Sequence, residues 1–275
     1  MQISRPFSSL FLPHRYQGPL LKGRFIRRPH RFAAQVQLDR EDLLSRAGEL
    51  GLNPPTILTE LTREPVITHV PDPGRLLELL QPGVEVYVSL AASTSSKESL
   101  RNRKTLYTLL LVRASDPPYP LVSLDTPSAN YLAEAILNHP QFSPIGTPWQ
   151  LKREYKIGES RLDFYLRQDK HELFLEVKSV SLVKNQIALF PDAPTLRGVR
   201  HLRGLIDLRR QGKQAAVLFV AQRDDLLCIR PNRDTDPRFA TLLKDAHQQG
   251  VQLFGIKFKV SLEGYFYQGP VPVEI

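Results

Sequence analysis

The apolar residues of the chain fall into two regimes. Up to about residue 90 they come in short runs, LLKGRFI, REPVITHV and VEVYVSL, split by turn chemistry at Pro54-Pro55, Pro71-Asp72-Pro73-Gly74 and Pro82-Gly83. Short strands punctuated by Gly and Pro predict a small barrel or sandwich. The stretch DREDLLSRAGELG, residues 39–51, predicts a short helix inserted among them. The small polar run AASTSSKES, residues 91–99, reads as a linker, with domains over 1–99 and 100–275 and residues 1–18 as a flexible tail.

After the linker the period changes. TLYTLLLV predicts a strand, and Thr126-Pro127 a helix start, with Thr126 as N-cap and Leu132, Ala133, Ile136 and Leu137 as the buried stripe. Strands follow over 151–157, 161–167 and 172–180. Thr195 caps a helix to about Gln211, with Val199, Leu202, Leu205 and Ile206 inward. QAAVLFVA, a helix opened by Asp236-Pro237, and VQLFGIKFKV complete the order α-β-β-β-α-β-α-β. That order predicts an α/β (α+β) mixed sheet flanked by helices.

The strand pair over 161–180 carries the candidate chemistry. Alternation puts Leu162, Phe164 and Leu166 on one face of the first strand, and Phe174, Glu176, Lys178 and Val180 on one face of the second. A hairpin symmetric about Asp169-Lys170 sets Asp163 opposite Glu176. Directly opposed like charges destabilise a sheet pair unless something positive lies between them. Lys178 is one candidate and a divalent metal the other. Two carboxylates and a backbone carbonyl, here that of Val177, suit Mg²⁺ or Mn²⁺. Such an ion activates water against a phosphodiester, and a lysine on the same face assists it.

Charge adds a partner class. The chain of 275 residues has a net charge of +9. Arg5, Arg15, Lys22, Arg24, Arg27, Arg28 and Arg31 precede the first acidic residue, and Lys184, Arg197, Arg200, Arg203, Arg209, Arg210 and Lys213 face only Asp192 and Asp207 in their segment. Such patches attract polyanions, nucleic acid (DNA or RNA) first. Arg197, Arg200 and His201 stand off the apolar stripe at helical spacing, shortly after Glu176 and Lys178, and are candidate phosphate contacts. In HVPDPGRL, His69 and Arg75, on either side of the PDPG turn, are further candidates. The single Cys228 excludes an internal disulfide framework and a cysteine-rich zinc site. No apolar run long enough to span a bilayer and no signal peptide is visible, so a cytoplasmic protein without membrane partners is expected. No nucleotide-binding Gly loop, HExxH, GxSxG, helix-turn-helix or zinc-finger spacing is found.

Asp followed by Glu-x-Lys on the next strand resembles the PD-(D/E)xK nuclease superfamily. More of the chain resembles the sugar fermentation stimulation protein A (SfsA) family: LLKGRFIRRPHRF, HVPDPGRLLELL, PSANYLAEAI, REYKIGESRLDF, LEVKSVSLV, ALFPDAPTLRGVRHLRGL, QGKQAAVLFV and AHQQGVQLFGIKFKVS, in that order. The resemblance implies an N-terminal OB-like barrel, a nuclease-like second domain, nucleic-acid binding and a link to sugar (maltose-type) metabolism. It assigns Asp163 to the metal carboxylate and Glu176 and Lys178 to the ExK pair, with Glu134 or Glu154 as an added helix carboxylate. On an OB face, Arg24, Arg27, Arg28 and Arg31, interleaved with Phe25 and Phe32, would hold a single strand. Two functions follow: a metal-dependent nuclease, or a DNA-binding regulator without catalysis.

Overall fold

The computed structural model describes residues 10–16, 19–46, 48–49, 64–90, 105–146, 149–157 and 160–275. Strands β1 (Phe11–Pro13), β2 (Leu20–His30), β3 (Ala33–Leu38), β4 (Val66–His69), β5 (Glu85–Leu90) and β6 (Tyr107–Arg113) come first, with helix α1 (Arg40–Ser45) after β3. Five of them form a barrel in the order β4-β3-β2-β5-β6, closed by a parallel β4–β6 pairing at Thr68↔Tyr107 and His69↔Thr108. Closure leaves the barrel no free sheet edge. Its interior is apolar, with Phe25, Val36, Val88 and Leu109 among its members. Gly23 lets β2 cross β3 closely: a Cβ there would lie 2.6 Å from Val36 Cγ1 and 2.8 Å from the Gln37 carbonyl oxygen.

Several sequence expectations change here. β3 was not expected. α1 is capped by the Asp39 carboxylate, which accepts from the Glu41 and Asp42 N–H groups, and ends at Ser45. Pro54-Pro55, the linker run 91–99 and the boundary at 99/100 lie outside the described residues. The strand at Tyr107–Arg113, expected to open the second domain, completes the barrel instead. Phe11–Pro13, expected in a flexible tail, pairs with a strand near the C-terminus.

The second unit comprises β7 (Leu121–Ser123), α2 (Thr126–Leu137), β8 (Gln150–Ile157), β9 (Ser160–Gln168), β10 (His171–Val180), β11 (Val183–Lys184), β12 (Ile187–Phe190), α3 (Leu196–Arg210), β13 (Gln214–Ala221), β14 (Cys228–Pro231), α4 (Pro237–Gln248), β15 (Gln252–Val260) and β16 (Gly264–Pro270). Its sheet runs β7-β15-β13-β10-β9-β8, parallel at β10–β13 and β13–β15 and antiparallel at the edges. The β6–β7 pairing makes the sheet continuous with the barrel. One face packs Phe164, Leu175, Leu218 and Phe258 against Leu132 and Ile136 of α2. The other packs Phe174, Val217 and Phe219 against Leu202 and Leu205 of α3 and Phe239 of α4. β11, β12 and β14, unforeseen, form a small separate sheet.

Thr195 and Asp236 cap α3 and α4 as expected, accepting from the Gly198 and Phe239 N–H groups. At α2 the cap position is Asp125, one residue early. Thr126 is the first helical residue, and its hydroxyl donates to the Pro71 carbonyl at 3.1 Å. No helix among the described residues is long and apolar enough to cross a membrane.

Candidate functional site

The β9–β10 hairpin turns on Asp169-Lys170, with Asp169 at φ +54°, and pairs from Gln168↔His171 to Phe164↔Leu175. The register is the expected one, and the next pair would set Asp163 opposite Glu176. That pair does not form. Asp163 Oδ2 accepts the Val177 N–H at 2.8 Å, so a carboxylate stands where a ladder carbonyl would be. On the other side of β9, the β8 ladder steps from Arg153↔Phe164 to Tyr155↔Leu162, missing Glu154, whose φ is +49°. The strand turns over at Asp163. Phe164 and Leu166 enter the α2-side core and Leu162 the α3-side core, so these three do not share a face as simple alternation requires. The N–H and C=O of one strand residue point the same way. By that rule the Val177 carbonyl lies on the β9 side of β10, the side from which its N–H meets Asp163.

Glu176 is 2% exposed. Its Oε1 accepts from Lys178 Nζ at 2.5 Å and meets His201 Nδ1 of α3. Its Oε2 is buried with no hydrogen-bond partner. Arg197 Nε donates to His201 Nε2 at 3.4 Å. Lys178 Nζ also lies 3.3 Å from His201 Nδ1, so lysine, imidazole and carboxylate form one cluster. Burial pushes the Asp163 pKa up and the Glu176 charge adds to it, against the Val177 N–H, Asn130 and Lys178. Burial also acts upward on Glu176, but Lys178 and His201 outweigh it and hold that carboxyl below its usual range.

These groups floor a cleft of about 680 Å³ between the barrel and the sheet, walled by Arg31 and Phe32, by Asp72–Gly74, and by Asp192–Arg197. The sequence candidates divide around it. Asp163, Glu176, Val177, Lys178, Arg31 and Arg197 line it, and His201 bonds to its floor. Glu134 pairs with Arg153 at 3.0 Å and Glu154 with Arg161 at 3.3 Å, and neither lines the cleft. The α2 residue that reaches Asp163 is Asn130, one turn before Glu134, whose Nδ2 donates to Oδ1 at 2.9 Å. Helical spacing gave the apolar stripe of α2 but carried no signal for Asn130.

The basic candidates divide in the same way. Arg28 does not face a ligand: its guanidinium donates to the carbonyls of Gly74, Arg75 and Asp72 at 2.6–3.0 Å, and to that of Arg31. Arg24 donates to the Gly83 carbonyl and Arg27 to Gln35. His69 and Arg75 are exposed outside the cleft lining. Arg200 faces a separate groove between α3 and α4.

Two acidic residues that looked like ordinary turn chemistry tie the domains together. Asp192 Oδ2 accepts the Leu76 N–H at 2.7 Å. Asp72 accepts the Gly74 N–H at 2.7 Å and the Ser181 hydroxyl, across the cleft wall, at 3.2 Å. Gly74 fits between them only without a side chain, since a Cβ would lie 2.5 Å from Asp192 and 2.9 Å from Asp72. Burial pushes the Asp72 pKa up to about 6, with the Asp192 charge adding to it. Its folded value lies above its unfolded one, so its stabilising contribution is full in acid and is lost as pH rises through about 6. Asp72→Asn, which cannot ionise, is therefore expected to gain about 2–3 kcal/mol on wild type between pH 4 and pH 8. Chemical denaturation at both pH values checks this, and an unchanged difference would refute it.

Comparison with known proteins matches both units. A family model described as SfsA N-terminal OB domain matches residues 26–117, and one described as Sugar fermentation stimulation protein RE domain matches residues 128–264. The sugar fermentation stimulation protein homolog of Moorella thermoacetica is 35% identical over 257 residues, covering 93% of this chain and 97% of that protein. The homolog of Acetivibrio thermocellus is 36% identical over 250 residues, covering 90% and 93%. The solved structure of Pyrococcus furiosus SfsA in complex with Ca²⁺ aligns with a TM-score of 0.75 at 28% identity, over 96% of this chain and 100% of that one. Barrel, sheet and sequence agree along nearly the whole length, and the chain belongs to the sugar fermentation stimulation protein (SfsA) family.

Proposed function

We propose that this protein is a divalent-metal-dependent nuclease of the PD-(D/E)xK kind, acting in the cytoplasm on the phosphodiester bonds of DNA or RNA. The observation that carries the reading is Glu176 Oε2, a buried carboxylate oxygen without a partner, beside Asp163 on the floor of an open cleft. An unpaired buried acceptor is costly, and a hard cation is the partner its chemistry suits. The donor set fits: Asp163, Glu176 and the Val177 carbonyl would hold Mg²⁺ or Mn²⁺, and the related Pyrococcus furiosus protein was solved with Ca²⁺, an ion of the same oxygen-seeking class. When bound, such an ion supplies Lewis-acid chemistry, polarising a phosphodiester and acidifying water.

The chain's own residues do the rest. Asn130 and the Val177 N–H fix the Asp163 carboxylate. Lys178 keeps Glu176 ionised and sets an ammonium at the edge of the reacting position, where it can orient a water and offset developing charge. His201 holds the same oxygen from the helix side, and Arg197 extends positive charge into the cleft. The barrel contributes Arg31 over the ring of Phe32, a cation and a stacking surface for an unpaired base.

A second reading, a DNA-binding regulator of sugar metabolism without catalysis, has one observation in its favour. Among the described residues no group of three or more His, Cys, Asp or Glu converges to hold a metal. The two readings separate on labelled single- and double-stranded DNA and RNA, with Mg²⁺, Mn²⁺ or EDTA. The nuclease predicts metal-dependent cleavage that Lys178→Ala slows by about 10²–10³ while binding persists. Binding without cutting on every substrate would leave the regulator.

A further inference from the structure

Next to the cleft lies a second concavity. Helices α3 and α4 leave a groove of about 830 Å³ between them, lined by Val199, Arg200, Arg203, Pro237, Arg238 and Leu242, with Leu196 at its mouth. Leu196 also lines the cleft and is 76% exposed, so the two hollows meet over its side chain. Arg200, Arg203 and Arg238 make no hydrogen bond or ion pair with any described residue. Arg28 rests on loop carbonyls, Arg113 on Glu85, Arg223 on Asp225 and Arg230 on Glu274; other unpaired arginines, such as Arg40, Arg75 and Arg233, line neither hollow. The one acidic residue in the lining is Asp245, so three guanidiniums face one carboxylate.

Resting on the nuclease reading above, we propose that this groove is a phosphate track, which holds the backbone of a nucleic-acid strand after it leaves the cleft. The dimensions suit a backbone. From Arg197 in the cleft to Arg203 in the groove the helix rises about 9 Å. An extended single strand advances more per nucleotide than the about 3.4 Å axial rise of a duplex strand, so that is the span of at most two to three phosphates. The lining holds no aromatic ring, so bases have nothing to stack on. The apolar floor of Val199, Pro237 and Leu242 accommodates arginine stems and sugar faces. The contact is therefore independent of sequence and governed by charge. It makes strand length, rather than base identity, the variable that the groove reads.

The test compares wild type with the double variant Arg203→Gln/Arg238→Gln, using fluorescence anisotropy over a salt series. Two labelled single strands are used: one of about three nucleotides, too short to occupy the cleft and the groove together, and one of about eighteen, which continues into the groove. For the long strand, the variant is expected to bind about tenfold or more weakly at low salt. The slope of log affinity against log salt should fall by about one to two, at roughly 0.7 per single-strand phosphate lost. The short strand should bind both proteins alike. Arg203→Lys/Arg238→Lys should restore the long-strand slope, because a point charge suffices for phosphate, and a purely structural role would not be rescued this way.

If wild type binds strands and the Gln variant is unaffected, or loses both lengths equally, the track is wrong and the nuclease reading stands. If wild type binds no strand of either length, both fall together. Polyglutamate tests the other class of partner. If it binds wild type but not the Gln variant while nucleic-acid binding is unchanged, the groove serves an acidic protein and the proposal is overturned.

Discussion

Asp163→Ala is expected to lower metal-dependent cleavage at least about 10³-fold and to remove divalent-ion binding measurable by calorimetry. The size of the effect follows from the charge balance of the floor. Glu176 is already matched by Lys178 and flanked by His201. Without Asp163 the site offers one compensated carboxylate, which gives a dication little net attraction. The same balance sets the pH response. Burial holds Asp163 above the usual carboxylate range, whereas Lys178 and His201 hold Glu176 below it despite burial. On acidification Asp163 is therefore the first of the two to take up a proton, and ion affinity should fall through its range while Glu176 is still charged. Calcium titrations at descending pH would show this. Retention of binding by Asp163→Ala at any pH would remove Asp163 from the site.

Phe219→Ala should cost about 3–5 kcal/mol of stability, the range for deleting a buried aromatic ring. Phe219 is 1% exposed in the middle of the sheet. Its ring meets Phe190 edge-on at 5.7 Å, and Phe190 meets Phe239 of α4 at 5.2 Å. Phe190 leads directly into the segment that carries Asp192 and the Thr195 cap, so the cavity would open under one wall of the cleft. A lowered urea midpoint with an unchanged slope checks the stability. A loss below about 1 kcal/mol would mean that the trio repacks.

Much of this was legible in the sequence, and the gaps have physical causes. The β9–β10 register could be read because a two-residue turn at Asp169-Lys170 leaves no slack, and the alternation of Leu173, Leu175 and Val177 agrees with it. The reversal at Asp163 could not be read, because there a side chain replaces a backbone acceptor and period-two reasoning stops applying. Helix α2 was legible from its buried stripe. Which polar neighbour faces the sheet was not, and charge drew attention to Glu134 while a neutral amide, Asn130, does the holding. The arginines show the same limit. Composition counts Arg28 and Arg203 alike, but one is consumed by carbonyls brought near by folding and the other is left free beside a groove. Short strands such as Ala33–Leu38 escaped because pairing with β2 and β4, rather than local propensity, makes them strands.

The barrel and the second sheet share one hydrogen-bonded ladder through β6, β7 and β15, and Asp72, Asp192 and Thr126 add further bonds between them. Two halves joined by a ladder and by several side-chain bonds resist swinging like jaws. If the cleft takes a nucleic-acid strand, as proposed, little of the contact energy would be spent on closing it, because its walls are already joined in the folded state.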